Sequence, residues 1–151
     1  MELGGKSANI IFADADLDQA IAGSSGGIFW HSGQTCSAPS RLYVHRSIHR
    51  EVVERIKLAA AELTIGHGLD AGVDFGPLLN GAQLERVQGY VERAAAAGAN
   101  VHYATEIPEG LTGFFHPPTV IDAVNDDMEC VREEIFGPVV VVLPLDRKSV
   151  V

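Results

Sequence analysis

Cys36 is the residue with the most chemical potential in this chain. It stands in a stretch running from His31 through Ser32, Gly33, Gln34, Thr35, Cys36, Ser37 and Ala38 to Pro39. Gly33 and Pro39 mark that stretch as a loop. Small polar neighbours leave room for a substrate and supply backbone N–H donors. A thiolate in such a loop attacks electrophilic carbon when it is accessible and its pKa is lowered. The plainer alternative is a buried structural thiol, which is how most free cysteines behave. Glu2 offers a carboxylate just before Gly4 and Gly5, a glycine pair that permits a tight turn and close backbone approach to a ligand. Its plainer alternative is a solvated charge near a chain end.

A third group runs Glu133, Glu134, Ile135, Phe136, Gly137, Pro138. Carboxylates accept hydrogen bonds from sugar hydroxyls, and an aromatic ring packs against a flat ligand. The competing reading is a solvated acidic loop anchored by one phenylalanine. Gly4-Gly5-Lys6-Ser7 has the ending of a phosphate-binding loop. However, the pattern's first glycine would fall before residue 1, and the segment leads into a strand rather than a helix, so that role is rejected. The six histidines are dispersed and form no zinc spacing with the cysteines, so no metal is expected.

These residues need elements to hold them. Ala8 to Ala13 reads as a short apolar strand, and Asp14 and Asp16 suit the start of a helix from about Asp16. That helix runs into Gly23-Ser24-Ser25-Gly26-Gly27, which makes sense if something packs closely there. Arg41 to His45 alternates as a strand. Ser47 is expected to cap a helix reaching about Leu63. A glycine-rich connection from Gly66 to about Asn80 precedes the clearest helix, Ala82 to Ala97, with Gly98 as its C-terminal cap. Asn100 to Ala104, Thr119 to Ile121 and the apolar run Val139 to Leu143 complete the strands. Alternating strands and helices predict an α/β layer with a parallel or mixed sheet.

Composition narrows the function classes. A formal charge of −9 argues against nucleic-acid binding and against an anionic membrane surface. No apolar run reaches the ~20 residues that span a bilayer. The opening residues lack a basic region followed by an apolar stretch, so no signal peptide is expected, and a cytoplasmic location with free thiols follows. Cys36 and Cys130 are too few for a disulfide framework.

Taken together, the motifs Glu2-Leu3-Gly4-Gly5-Lys6-Ser7, Gly33-Gln34-Thr35-Cys36 and Glu133-Glu134-Ile135-Phe136-Gly137-Pro138 resemble those of the aldehyde dehydrogenase superfamily in order and spacing. The segments Asp14 to Asp18, Ser40 to Val44 and Phe75 to Leu78 fit the same pattern, so the resemblance reaches about Leu145. The wording is similar to bacterial enzymes acting on phenylacetaldehyde.

The resemblance implies a Rossmann-like open α/β sheet of the catalytic-domain type, with residues 1–151 forming part of that domain and the dinucleotide-binding domain lying outside it. It implies that Cys36 is the nucleophile and Glu2 the general base. Leu3, Gly4, Glu134 and Phe136 would contact NAD or NADP in the complete enzyme. Its partners would be a small-molecule aldehyde and, in the complete enzyme, further copies in a homo-oligomer. His31 and Ser32 depart from the amides often found there, which reshapes the aldehyde pocket without removing the chemistry. The isolated chain is expected to be inactive in dehydrogenation. The rival classes are a non-catalytic binding or assembly module that keeps the fold, and a residual cysteine esterase.

Overall fold

The computed structural model describes residues 3–146. Five strands form one sheet: β1 (Ala8–Ile11), β2 (Arg41–His45), β3 (Asn100–Tyr103), β4 (Thr119–Asp122) and β5 (Val139–Leu145). Their spatial order is β1-β2-β5-β4-β3. β1, β2, β5 and β4 run parallel, while β3 is antiparallel to β4. This is an open mixed α/β sheet, as the alternation of elements implies.

The helices α1 (Leu17–Phe29) and α2 (His49–Ala61) cover one face, and α3 (Gly81–Ala96) with the short α4 (Glu129–Arg132) covers the other. β5 shows why the sheet holds together. Its side chains alternate, as strand geometry requires. Val140 and Val142 join the α1–α2 core, whereas Val139, Val141 and Leu143 join the α3 core. All five are buried, which explains the unbroken apolar run of a central parallel strand.

The α1 start is set by Asp16, whose carboxylate accepts from the backbone N–H groups of Asp18 and Gln19 at 3.1 and 3.2 Å. The helix then continues through its glycine- and serine-rich half. Ser24 and Ser25 hydroxyls donate to the carbonyls of Ala20 and Ile21. A Cβ at Gly27 would sit 2.9 Å from Pro39 Cγ, so the exit of the cysteine loop is what packs on this helix.

Three expectations need correction. Ser47 does not cap α2: the cap position is Ile48, with no side-chain bond, and Ser47 Oγ instead lies 2.9 Å from His45 Nδ1. α4 arises where no helix was expected, since Cys130 and Val131 both turn inward into the α3 core. β5 runs on to Leu145 despite Pro144. The proline is tolerated because it lies beyond the last β4 pair, Ile121 with Val141. Gly98 has φ 93° and directly follows the C-cap of α3, Ala97.

Candidate active site

The segments that lead into β1, β2 and β5 and the first turns of α3 border an open cleft of about 350 Å3. Leu3, Gly4, Cys36, Glu134 and Phe136 line it, although they come from three distant stretches of sequence. Glu2 lies outside the described residues. Gln83 and Arg86 of α3 complete the lining.

Cys36 is exposed, in the turn that Ala38 N–H closes on Thr35 O at 2.9 Å. The preceding backbone is unusual. His31, Ser32 and Gly33 are consecutively left-handed, with φ of 53, 55 and 69°. Two of these are not glycine, so the turn carries strain. Three contacts hold it. Ser32 Oγ donates to Gly76 O at 2.7 Å, and Gln34 Oε1 accepts from Leu79 N–H at 2.8 Å. Gly33 packs so tightly on the Gly137 peptide that a Cβ there would meet Gly137 O at 2.0 Å.

On the opposite wall, Glu134 Oε1 accepts from Gly5 N–H at 3.2 Å. A Cβ at Gly4 would lie 2.3 Å from Glu134 Oε2, so this carboxylate occupies the room that Gly4 leaves. Its neighbour Glu133 is engaged elsewhere, accepting from the Tyr90 hydroxyl at 2.7 Å. The two adjacent carboxylates are therefore separated by role, one at the cleft and one on α3. The guanidinium groups of Arg86 and Arg93 both lie near the Tyr90 ring, 5.2 and 4.8 Å from its centre. Phe136 is left-handed, with φ 58°.

Beside the cleft sits Lys6. Its Nζ is buried without a hydrogen-bond partner among the described residues. Burial lowers its pKa to about 8, with the nearby Arg41 adding to the effect and Cys130 and Glu134 opposing it. The Arg41 guanidinium donates to the Lys6 carbonyl, which ties the glycine-rich segment to β2. Cys130, unlike the exposed Cys36, is buried, at 1% exposure, and burial pushes the Cys130 thiol pKa up.

Sequence reasoning did not find Gln83 or Arg86. Gln83 lies three residues after the α3 cap, Asn80, whose side chain accepts from Gln83 N–H at 2.9 Å. An Asn-x-x-Gln pattern ordinarily reads as a reciprocal capping box. Here the glutamine side chain goes instead to the backbone beneath Phe136.

An exposed thiol facing a carboxylate, an arginine and an aromatic ring suits covalent chemistry on a ligand with hydroxyls and a flat ring. The family model described as "Aldehyde dehydrogenase family" matches residues 1–149. This chain belongs to the aldehyde dehydrogenase family. It is 42% identical over 151 residues to betaine aldehyde dehydrogenase of Rhizobium leguminosarum, covering 99% of this chain and 31% of that protein. It is 43% identical over 143 residues to a mitochondrial aldehyde dehydrogenase of Leishmania tarentolae, covering 95% of this chain and 28% of that protein. Among solved structures, the NAD+ complex of aldehyde dehydrogenase from Bacillus cereus superposes with a TM-score of 0.91 at 47% identity, covering 97% of this chain and 30% of that one. The chain thus spans about a third of the length of these family members.

Proposed function

We propose that this chain carries the covalent part of an NAD(P)+-dependent oxidation of an aldehyde to a carboxylic acid. The observation that carries the reading is the meeting of Cys36 with Glu134 and Phe136 in one cleft. The family membership and the NAD+ complex of the Bacillus cereus relative support it.

In this reading Cys36 Sγ adds to the aldehyde carbon and gives a thiohemiacetal, with the backbone N–H of Cys36 as one donor to the developing oxyanion. A bound NAD(P)+ would supply the hydride acceptor for that carbon, and Cys36 would then carry a thioester. Glu2 takes a proton from water, the hydroxyl adds to the thioester carbon, and the acid departs as the thiol is regenerated. That base role rests on the motif Glu2-Leu3-Gly4-Gly5. Glu134 fits a ribose, because one carboxylate oxygen is fixed by Gly5 N–H while the other accepts no hydrogen bond among the described residues. The Phe136 ring would flank the cofactor, and Leu3 and Gly4 line the same cleft.

Phenylacetaldehyde is one candidate substrate from the motifs. Betaine aldehyde is the other, from the names of several relatives. The parent enzyme in this reading is a homo-oligomer whose dinucleotide-binding domain is supplied outside residues 1–151. For these residues alone we expect no sustained reduction of NAD+.

The test is acylation and alkylation of Cys36. A chromogenic acetate ester should add one acetyl group to Cys36, seen by mass spectrometry and absent from Cys36→Ala. Iodoacetamide should label Cys36 faster than it labels glutathione at the same pH. Acylation that persists in Cys36→Ala, or a Cys36 no more reactive than free glutathione, would defeat the reading.

A further inference from the structure

α3 makes one set of contacts that neither its helix nor the sheet requires. Three consecutive backbone carbonyls beside the cleft are each taken by an α3 side chain. Gln83 Nε2 donates to Ile135 O at 3.1 Å and to Phe136 O at 2.8 Å. Arg86 donates to Glu134 O at 2.7 Å. These bonds fall where the backbone is strained, since Phe136 is left-handed and not glycine. A left-handed non-glycine residue persists only when its surroundings over-determine it, and the paired amide bonds supply that determination.

The clamp does not stop at Phe136. The next residue, Gly137, turns its carbonyl against Gly33, three residues before Cys36. From the other side, Gly76 O and Leu79 N–H hold Ser32 and Gln34. The stretch from Gly76 to Gln83 therefore braces both walls of the cleft at once.

We propose that Gln83 is a positioning residue: its amide holds the Ile135–Gly137 backbone in its left-handed form and, through the Gly137–Gly33 contact, sets the Cys36 thiol in the cleft. The proposal concerns the site of the preceding reading and rests on it for the purpose of the cleft. Its test needs neither aldehyde nor cofactor, so the two fail separately. The chemistry at stake is donor polarity. Glutamate matches glutamine in volume but presents an acceptor to two carbonyls at neutral pH. A residue that merely fills space is indifferent to that exchange.

The experiment uses the full chain, labelled with 15N, and compares Gln83→Glu, Gln83→Leu and Gln83→Lys. In Gln83→Glu and Gln83→Leu, the amide resonances of Phe136, Gly137, Gly33 and Cys36 should move. The alkylation rate of Cys36 should change by about threefold to tenfold, the scale of one or two lost hydrogen bonds. Gln83→Lys, which keeps a donor, should recover most of both signals. Cys130 should stay protected throughout. A wild-type Cys36 rate and wild-type resonances in Gln83→Glu would overturn the proposal. So would Cys130 becoming reactive alongside Cys36, since Gln83 would then hold the fold rather than the cleft.

Discussion

At Gly33 two requirements coincide. Its φ of 69° disfavours a side chain, and a Cβ would meet the Gly137 carbonyl at 2.0 Å. Neither obstacle is a flexible side-chain tip, so the backbone itself must move. Gly33→Ala is expected to cost about 3 kcal/mol, combining overpacking with left-handed strain. Urea melts of the two proteins check this, and a loss under about 1 kcal/mol would show that the two loops are not in firm contact.

Lys6 gives a pH signature. Its amine titrates near 8 in the folded chain and at the ordinary 10.5 when unfolded. Between those values the unfolded chain binds more protons, so Lys6 makes stability rise as pH climbs from about 8 toward 10.5. Below 8 both states are charged, and the folded chain bears the full penalty of a buried ammonium. The raised pKa of Cys130 acts in the opposite direction, because its neutral thiol loses its advantage as pH rises above the ordinary 9. The two groups also interact, so Lys6→Met is compared with wild type starting from pH 7, where the Cys130 thiol is neutral in both states. It should stabilise the chain at pH 7 by roughly 2–3 kcal/mol, with the gain shrinking as pH rises. Urea melts at pH 7 and pH 9.5 provide the comparison. A constant difference would contradict the burial of Nζ.

At the scale of elements, the turn from Trp30 to Gly33 holds a correctable cost. His31 is exposed and left-handed, a conformation that glycine adopts without a Cβ clash. His31→Gly is expected to raise stability by about 0.5 kcal/mol, strain relief less the glycine's unfolded-chain entropy, seen as a higher thermal midpoint. An unchanged or lower midpoint would mean that the ring contact between His31 and Trp30, 5.8 Å between centres, outweighs the strain.

The same scale shows what was legible. Arg41–His45 matches its expected bounds because alternation is strong, with Leu42 and Val44 buried on one face and Arg41, Tyr43 and His45 half-buried on the other. Leu3, Gly4, Cys36, Glu134 and Phe136 were marked by motif, and they share a cleft. Gln83 and Arg86 were not legible, because polar residues spaced along a helix look like a solvated face. Only the arrival of a distant loop gives them partners. α4 escaped for a related reason: its four residues are too few to show periodicity, and tertiary burial of Cys130 and Val131 creates the turn. Ser47 carried the right residue type one place too early, since the chain turns at His45 before the helix begins.

At the scale of the whole molecule, charge and apolar surface oppose each other. α3 does not extend over β1 and β2 on its side of the sheet. Ile10 there is 42% exposed and borders a hollow of about 420 Å3 with Tyr43, Leu143 and Pro144. A net charge of −9 keeps copies apart at low ionic strength. Salt shortens the range of that repulsion to ~3 Å at 1 M. Self-association is therefore expected to increase with added salt, and Ile10→Lys should suppress it, as read by sedimentation velocity. Association that weakens with salt would point to a contact between charges instead.

The position of β5 carries a consequence for how the chain is made. Among the described strands, the latest to be synthesised lies in the middle of the sheet, between β2 and β4. Until it emerges from the ribosome, β1 and β2 cannot join β4 and β3, and neither apolar layer can close. Closing this sheet must wait until β5 has been made, and its decisive pairing joins residues about a hundred positions apart, Arg41 with Val141. A nascent chain halted before Val139 would present two open half-sheets, the kind of species that chaperones capture.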